Sequence, residues 1–144
     1  MYRKLQVVFD CADPAGMAAF WGPALGYVAE SPPDGHESWE AWLVAAGVPR
    51  ERWNDANAVV DPAGEGPRLF FQRVPEPKVV KNRVHLDIGA TEGRGQPIED
   101  RRTAVAAKVE QLVAAGATPV ETIEEDGGVF TVMRDPEGNE FCVH

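Results

Sequence analysis

Chemistry in this 144-residue chain would fall to a few polar side chains set in strand-like alternation. His85 and Asp87 alternate with Leu86 and Ile88, so the two polar groups share one side of an extended segment. Glu140, Cys142 and His144 alternate in the same way with Phe141 and Val143. Brought together, two imidazoles, two carboxylates and a thiol could move protons, hold a polar ligand or grip a cation. Each also has a plainer reading. His85 could be a pocket base or donor, or a structural histidine bonded to Asp87 or to a backbone carbonyl. Asp87 and Glu140 could be paired carboxylates, one raised in pKa to act as base, or partners in ion pairs with Arg83 or Arg68. Gln6 and Gln72 could donate to a substrate carbonyl or tie two parts of the chain together. Cys142 would be a nucleophile only beside a base that lowers its pKa, and nothing local supplies one; a buried, inert thiol is the plainer expectation. Cys11 is expected in the core.

These residues sit in a regular succession of elements. Residues 5–11 read as a strand, and Asp13-Pro14 opens a helix that places Met17, Phe20 and Trp21 on one face. Gly22-Pro23 is expected to end or kink that helix. Residues 25–30 read as a second strand. Trp39, Trp42, Leu43 and Ala46 fall at helical spacing before Gly47, with a further helical turn over 49–53. Residues 58–60 and 69–74 read as strands. Pro75-Glu76-Pro77 marks a boundary, after which 83–90 reads as a strand and 100–115 as a helix facing inward through Val105, Val109, Leu112 and Val113. Residues 118–123, 129–134 and 140–144 complete the chain as three strands.

The order strand, helix, strand, strand, strand thus occurs twice. Asp61-Pro62-Ala63-Gly64 and Asp135-Pro136-Glu137-Gly138 join the last two strands of each half. This predicts an α+β fold: two βαβββ modules, about 1–77 and 82–144, pairing into a curved mixed β-sheet trough with helices outside. An insertion over 37–53 interrupts the first module. One helix per module leaves one sheet face uncovered, and a trough between modules would be a natural small-molecule site.

Composition narrows the partners. The 14 basic and 23 acidic residues give a net charge of −9, which argues against nucleic acid and anionic membrane surfaces. No apolar run reaches the ~20 residues that span a bilayer, and the first residues do not read as a signal peptide, so a cytoplasmic protein is expected. The two cysteines have no C-x-x-C spacing and suggest neither a disulfide framework nor a zinc finger. No Gly-x-Gly-x-x-Gly or Gly-x-Ser-x-Gly pattern is present.

Several segments resemble the vicinal oxygen chelate superfamily, in its glyoxalase-like branch. They are Phe20-Trp21 with Ala24-Leu25-Gly26-Tyr27, Phe71-Gln72-Arg73-Val74-Pro75-Glu76-Pro77-Lys78, Lys81-Asn82-Arg83-Val84-His85-Leu86-Asp87, and Asp135-Pro136-Glu137-Gly138-Asn139-Glu140-Phe141-Cys142. The resemblance spans nearly the whole chain apart from the helical insertion. It implies paired βαβββ modules and, in many members, a divalent metal that polarises neighbouring substrate oxygens. The superfamily includes glyoxalases, dioxygenases and bleomycin resistance proteins. The family's ligand positions fall on Gln6, Phe70, His85 and Cys142. Of these only His85 is a conventional donor: Gln6 is weak, Phe70 cannot ligate, and Cys142 stands where a carboxylate is expected. A shifted set of His85, Asp87, Glu140 and His144 remains conceivable.

The expectation is therefore a domain that holds a small organic molecule through His85, Asp87, Gln72, Glu140, Gln6, Cys142 and Phe70, with no metal or other cofactor. One alternative is a metal-dependent lyase or dioxygenase with a shifted ligand set. Another is a non-catalytic drug-sequestering or homodimerising domain. Trp39, Trp42 and Trp53 of the insertion either form a lid with stacking surface or pack a short helix onto the sheet.

Overall fold

A four-stranded mixed sheet organises each half, and in both the first strand lies parallel to the last. The computed structural model describes residues 1–144. The chain divides into two units, Met1–Pro77 and Lys78–His144. In the first, β1 (Gln6–Cys11), β2 (Val28–Ala29), β3 (Ala56–Val60) and β4 (Arg68–Arg73) form a sheet ordered β1-β4-β3-β2. In the second, β5 (Asp87–Ile88), β6 (Thr118–Glu125), β7 (Gly128–Arg134) and β8 (Glu140–Val143) form one ordered β5-β8-β7-β6. The helices are α1 (Pro14–Leu25), α2 (Trp39–Ala45), a 3-10 turn at Arg50–Arg52, and α3 (Ile98–Ala114). With the same strand order in both units, the fold is α+β and consists of two βαβββ modules.

The duplicated turns share a mechanism. Asp61 accepts from the backbone N–H groups of Ala63 (2.9 Å), Glu65 (3.0 Å) and Gly66 (2.7 Å). Asp135 accepts from Glu137 N–H (3.0 Å) and Asn139 N–H (2.9 Å). Gly64 and Gly138 take φ of 73° and 86°, a region that favours glycine. In each turn the glycine N–H closes onto the aspartate carbonyl at 2.9 Å. The amide donors also hold the Asp61 carboxyl below its ordinary range, Gly66 contributing most.

Each sheet buries one face. In the first unit Cys11, Leu69, Phe71 and Val59 are buried together with Met17, Phe20, Trp21 and Ala24 of α1. Phe9 joins this cluster through ring contacts with Trp21 and Phe71, both at 5.2 Å. In the second unit Val129, Met133, Phe141, Val143 and Ile88 are buried together with Val105 and Leu112 of α3. Burying a side chain of this size contributes about 1.5–3 kcal/mol.

Some element boundaries differ from the sequence reading. Pro23 does not end α1, which runs on to Leu25. The proline falls in the last turn and so forfeits only one helical hydrogen bond. Gly26, at φ 71°, supplies the stop instead, with Tyr27 N–H bonding Gly22 O at 2.8 Å. The helix therefore consumes residues expected in the next strand, and β2 shrinks to two residues. The strand expected over 83–90 is likewise reduced to β5, although bonds from Cys142 N–H to Leu86 O and from His144 N–H to Ile88 O, both 3.0 Å, extend its pairing. On α3 the buried stripe is Arg101, Val105 and Leu112, while Val113 is 43% exposed. One residue beyond Leu112 is a turn of about 100°, which carries Val113 off the stripe.

The N-terminus of α1 is tied to the insertion. Asp13 Oδ1 accepts from Gly16 N–H (3.2 Å) and from Asn54 Nδ2 (2.7 Å), and Asn54 Oδ1 accepts from Ala15 N–H (2.8 Å). The Asn54 bond, then the Gly16 amide, lower the Asp13 carboxyl below 3.8. Replacing Asp13 with Ala should cost about 0.5–2 kcal/mol in urea unfolding near neutral pH. Because the folded-state pKa is depressed, that contribution is present above pH 3.8 and disappears as pH falls through the lower folded value. The gap between wild type and variant should close in acid, and an unchanged gap there would contradict this account.

Candidate functional site

Pairing of β5 with β8 sets the polar cluster. The two strands run parallel with Asp87 opposite Cys142 and Ile88 opposite Val143. Ile88 and Val143 point into the core, at 4% and 0% exposure, so Asp87 and Cys142 are left side by side on the outer face. His85 lies two residues before Asp87 on the same side, its Nε2 3.3 Å from Asp87 Oδ1. Donor atoms of His85, Asp87 and Cys142 all lie within 4.8 Å of one another.

This trio lines a cavity of about 550 Å³ on the second unit. Glu140 and His144 also line it, as do Phe130 and Val132 from β7 and the cationic Lys81 and Arg94. Val132 stands opposite Cys142 across the β7–β8 ladder. The surface therefore combines an apolar wall with a polar floor.

Electrostatics separate the two carboxylates. Glu140 accepts from Asn82 N–H at 2.9 Å and pairs with Lys78 at 3.1 Å. These contacts, the Asn82 amide foremost, lower its pKa to about 2. Glu140 is thus a fixed anion that anchors the segment entering β5, and its cation is Lys78, not the Arg83 or Arg68 expected from sequence. Asp87 has His85 as its neighbour. Cys142 is half-buried on the outer face and is not a core thiol, whereas Cys11 is fully buried. Burial, then the nearby Asp87 carboxylate, push the Cys142 thiol up, with Lys81 opposing. At neutral pH it is therefore a thiol and a poor nucleophile.

The remaining sequence candidates lie on the outer face of the first sheet. β1 and β4 align Gln6 with Arg68, Val8 with Phe70, and Asp10 with Gln72. Gln6 Oε1 accepts from Arg68 Nη1 at 2.8 Å, and Gln72 Nε2 donates to Asp10 Oδ1 at 2.8 Å. Arg68 stacks over Phe70 at 5.0 Å and makes a two-pronged bond to Glu30, at 2.8 and 2.6 Å. His85, Asp87, Cys142, Glu140 and His144 are therefore gathered in the second unit, while Gln6, Gln72 and Phe70 are held by partners within the first. Phe130, Val132, Lys81 and Arg94 were missed as lining residues. Alternation along β7 could have revealed Phe130 and Val132, since their neighbours Val129, Thr131 and Met133 are all buried.

The donor set can be tested against the divalent ion that the sequence resemblance implies. Phe70 offers no donor, and the Gln6 amide oxygen is already engaged by Arg68. The remaining imidazole, carboxylate and thiol do not fit an oxygen-seeking ion such as Mn²⁺ or Mg²⁺.

The repeated strand order and helix placement define a glyoxalase/bleomycin resistance/dioxygenase fold. Residues 6–144 match the Glyoxalase-like domain family, and the chain belongs to it. Similar solved structures include a glyoxalase/bleomycin resistance protein/dioxygenase family enzyme from Burkholderia phytofirmans PsJN, with TM-score 0.61, 16% identity, and coverage of 96% of this chain and 94% of that one. Another is the fosfomycin resistance protein FosX from Listeria monocytogenes, with TM-score 0.63, 10% identity, and coverage of 100% and 93%. A third is the bleomycin-binding protein of Streptomyces verticillus, crystallised with copper(II)-bleomycin, with TM-score 0.53, 16% identity, and coverage of 99% and 95%. Among curated proteins none matches the sequence.

The thiol assignment can be checked directly. With Cys11 buried, iodoacetamide labelling should report on Cys142 alone, and it should run slower at pH 7.5 than for a small-molecule thiol. Asp87→Asn removes a charge that disfavours the thiolate, so labelling should accelerate. Equal rates with and without Asp87 would refute that electrostatic reading.

Proposed function

We propose that this chain binds a small organic molecule against the outer face of the second sheet and needs no metal to do so. The observation that carries the reading is the His85–Asp87–Cys142 floor set beside Phe130 and Val132 in one cavity of about 550 Å³. A ligand with a hydrogen-bonding end and an apolar body suits such a surface. His85 supplies a nitrogen donor or acceptor held by Asp87, and Cys142 adds a neutral thiol. Glu140 is spent on Asn82 and Lys78 and acts as scaffold. Small-molecule binding is represented on this fold: the Streptomyces protein holds copper(II)-bleomycin, and a point mutant of the Listeria protein has been crystallised with Mn(II) and a dihydroxypropylphosphonic acid. No helix here is long and apolar enough to cross a membrane, and the two free cysteines suit the reducing cytoplasm.

A second reading rests on the donor trio itself. Imidazole, carboxylate and thiolate together suit a thiophilic ion such as Zn²⁺. His85, Asp87 and Cys142 would hold it, and it would supply Lewis acidity to a bound oxygen.

One preparation separates the two. Protein purified without chelator should carry well under one equivalent of any transition metal. It should also gain thermal stability with a small polar aromatic or carbonyl compound from a metabolite screen. A ligand present at about 100 times its Kd adds about 2.7 kcal/mol. His85→Ala should abolish that gain while keeping the fold. Near-stoichiometric zinc that Cys142→Ser removes would replace the first reading with the second, and a screen with no His85-dependent stabilisation would refute ligand binding at this cavity.

A further inference from the structure

The helical insertion of the first unit encloses a pocket that the reading above leaves unused. Trp39, Trp42, Leu43 and Trp53 line it from the insertion, and Phe70, Ala56 and Ala58 from the sheet. Its volume is about 370 Å³, enough for a molecule of two or three fused rings. α2 buries none of its seven residues, although two of them are tryptophans, and Trp39 is 39% exposed. An amphipathic helix that merely packed onto a sheet would bury that face.

Two of the three indoles are tethered through their N–H groups. Trp39 Nε1 donates to Glu30 O at 2.6 Å, and Trp53 Nε1 donates to Val48 O at 2.9 Å. Trp39 and Trp42 meet edge to face at 5.6 Å. Ser38 caps α2 by accepting from Ala41 N–H at 3.0 Å, which fixes the helix that carries two of the indoles. Two of the three indoles therefore offer π-surface and no free N–H.

The charges around the pocket cancel locally. Glu30 is bound two-pronged by Arg68, and Arg68 spends a further donor on Gln6. Asp55 pairs with Arg52 at 3.0 Å and with Arg73 at 3.7 Å. A charged ligand would compete with these pairs, whereas a neutral aromatic would not.

We infer that this pocket is a binding site for an uncharged, planar, fused-ring aromatic molecule, stacked among Trp39, Trp42, Trp53 and Phe70. It lies wholly in the first unit and does not depend on the His85 cavity.

The chain has four tryptophans, so a ¹⁵N-labelled sample gives four indole N–H signals as separate reporters. Titration with 2-naphthol should shift the signals of Trp39, Trp42 and Trp53 and leave that of Trp21, buried in the α1 core, in place. Binding should saturate with Kd below about 1 mM. Trp42→Ala should weaken it roughly tenfold, and Trp42→Phe, which restores a ring, should recover most of the loss. 2-Naphthalenesulfonate, the same ring system with a fixed negative charge, should bind roughly tenfold more weakly than 2-naphthol. His85→Ala should leave the 2-naphthol titration unchanged whether or not the second-unit cavity proves functional. The inference is overturned by non-saturating shifts, by equal binding to Trp42→Ala, by a sulfonate that binds as well as the naphthol, or by loss of binding in His85→Ala.

Discussion

The polar clusters of both modules follow from the parallel pairing of the first and last strands within each. In each sheet the first strand forms an edge and the last lies beside it, and alternation commits each residue to the core or to the opposite face. Asp87 and Cys142 become neighbours because Ile88 and Val143 must both be buried. A slip of one residue in that register would put a carboxylate in the core and a valine outside. Arg68 faces Gln6, and Gln72 faces Asp10, for the same reason in the first module.

The pairing is guarded by the two aspartate turns. Each carboxylate gathers several backbone N–H groups of the connection into the final strand, satisfying donors that no neighbouring strand takes up. Asp135 is itself buried, at 3% exposure, and its pairing with Asn139 (2.9 Å) offsets the cost of placing a polar group there. These turns set where β4 and β8 begin and hence which of their residues face outward.

Much of the architecture was legible because it is written in short-range patterns. The Asp-Pro-x-Gly turns, the Asp13-Pro14 helix start and the alternation of 140–143 each have a local physical cause, and all appear where the residues place them. Less legible were features decided by competition. Pro23 reads as a helix breaker, yet its cost is small in a last turn and Gly26 made the better stop. The segment 83–90 alternates well, but only its end finds a partner strand, so the ordered ladder is short. The ion partner of Glu140 could not be guessed either. Lys78 lies 62 positions away, and any of several basic residues would satisfy the same charge. In the site, the His85–Asp87 side-sharing was readable from spacing alone. The pairing of Gln6 with Arg68, 62 residues apart, needed the sheet register.

One structural feature bears on how such a fold diversifies. Because α1 and α3 pack against a single face of each sheet, nearly all the cohesion of a module resides there. The opposite face holds the module together through only a few polar contacts, such as those of Glu140 and Arg68. Substitutions on that side change what the protein can recognise while leaving its folding free energy largely intact. A scaffold divided in this way can exchange its chemistry faster than its fold, in keeping with the fold this chain shares with proteins only 10–16% identical to it.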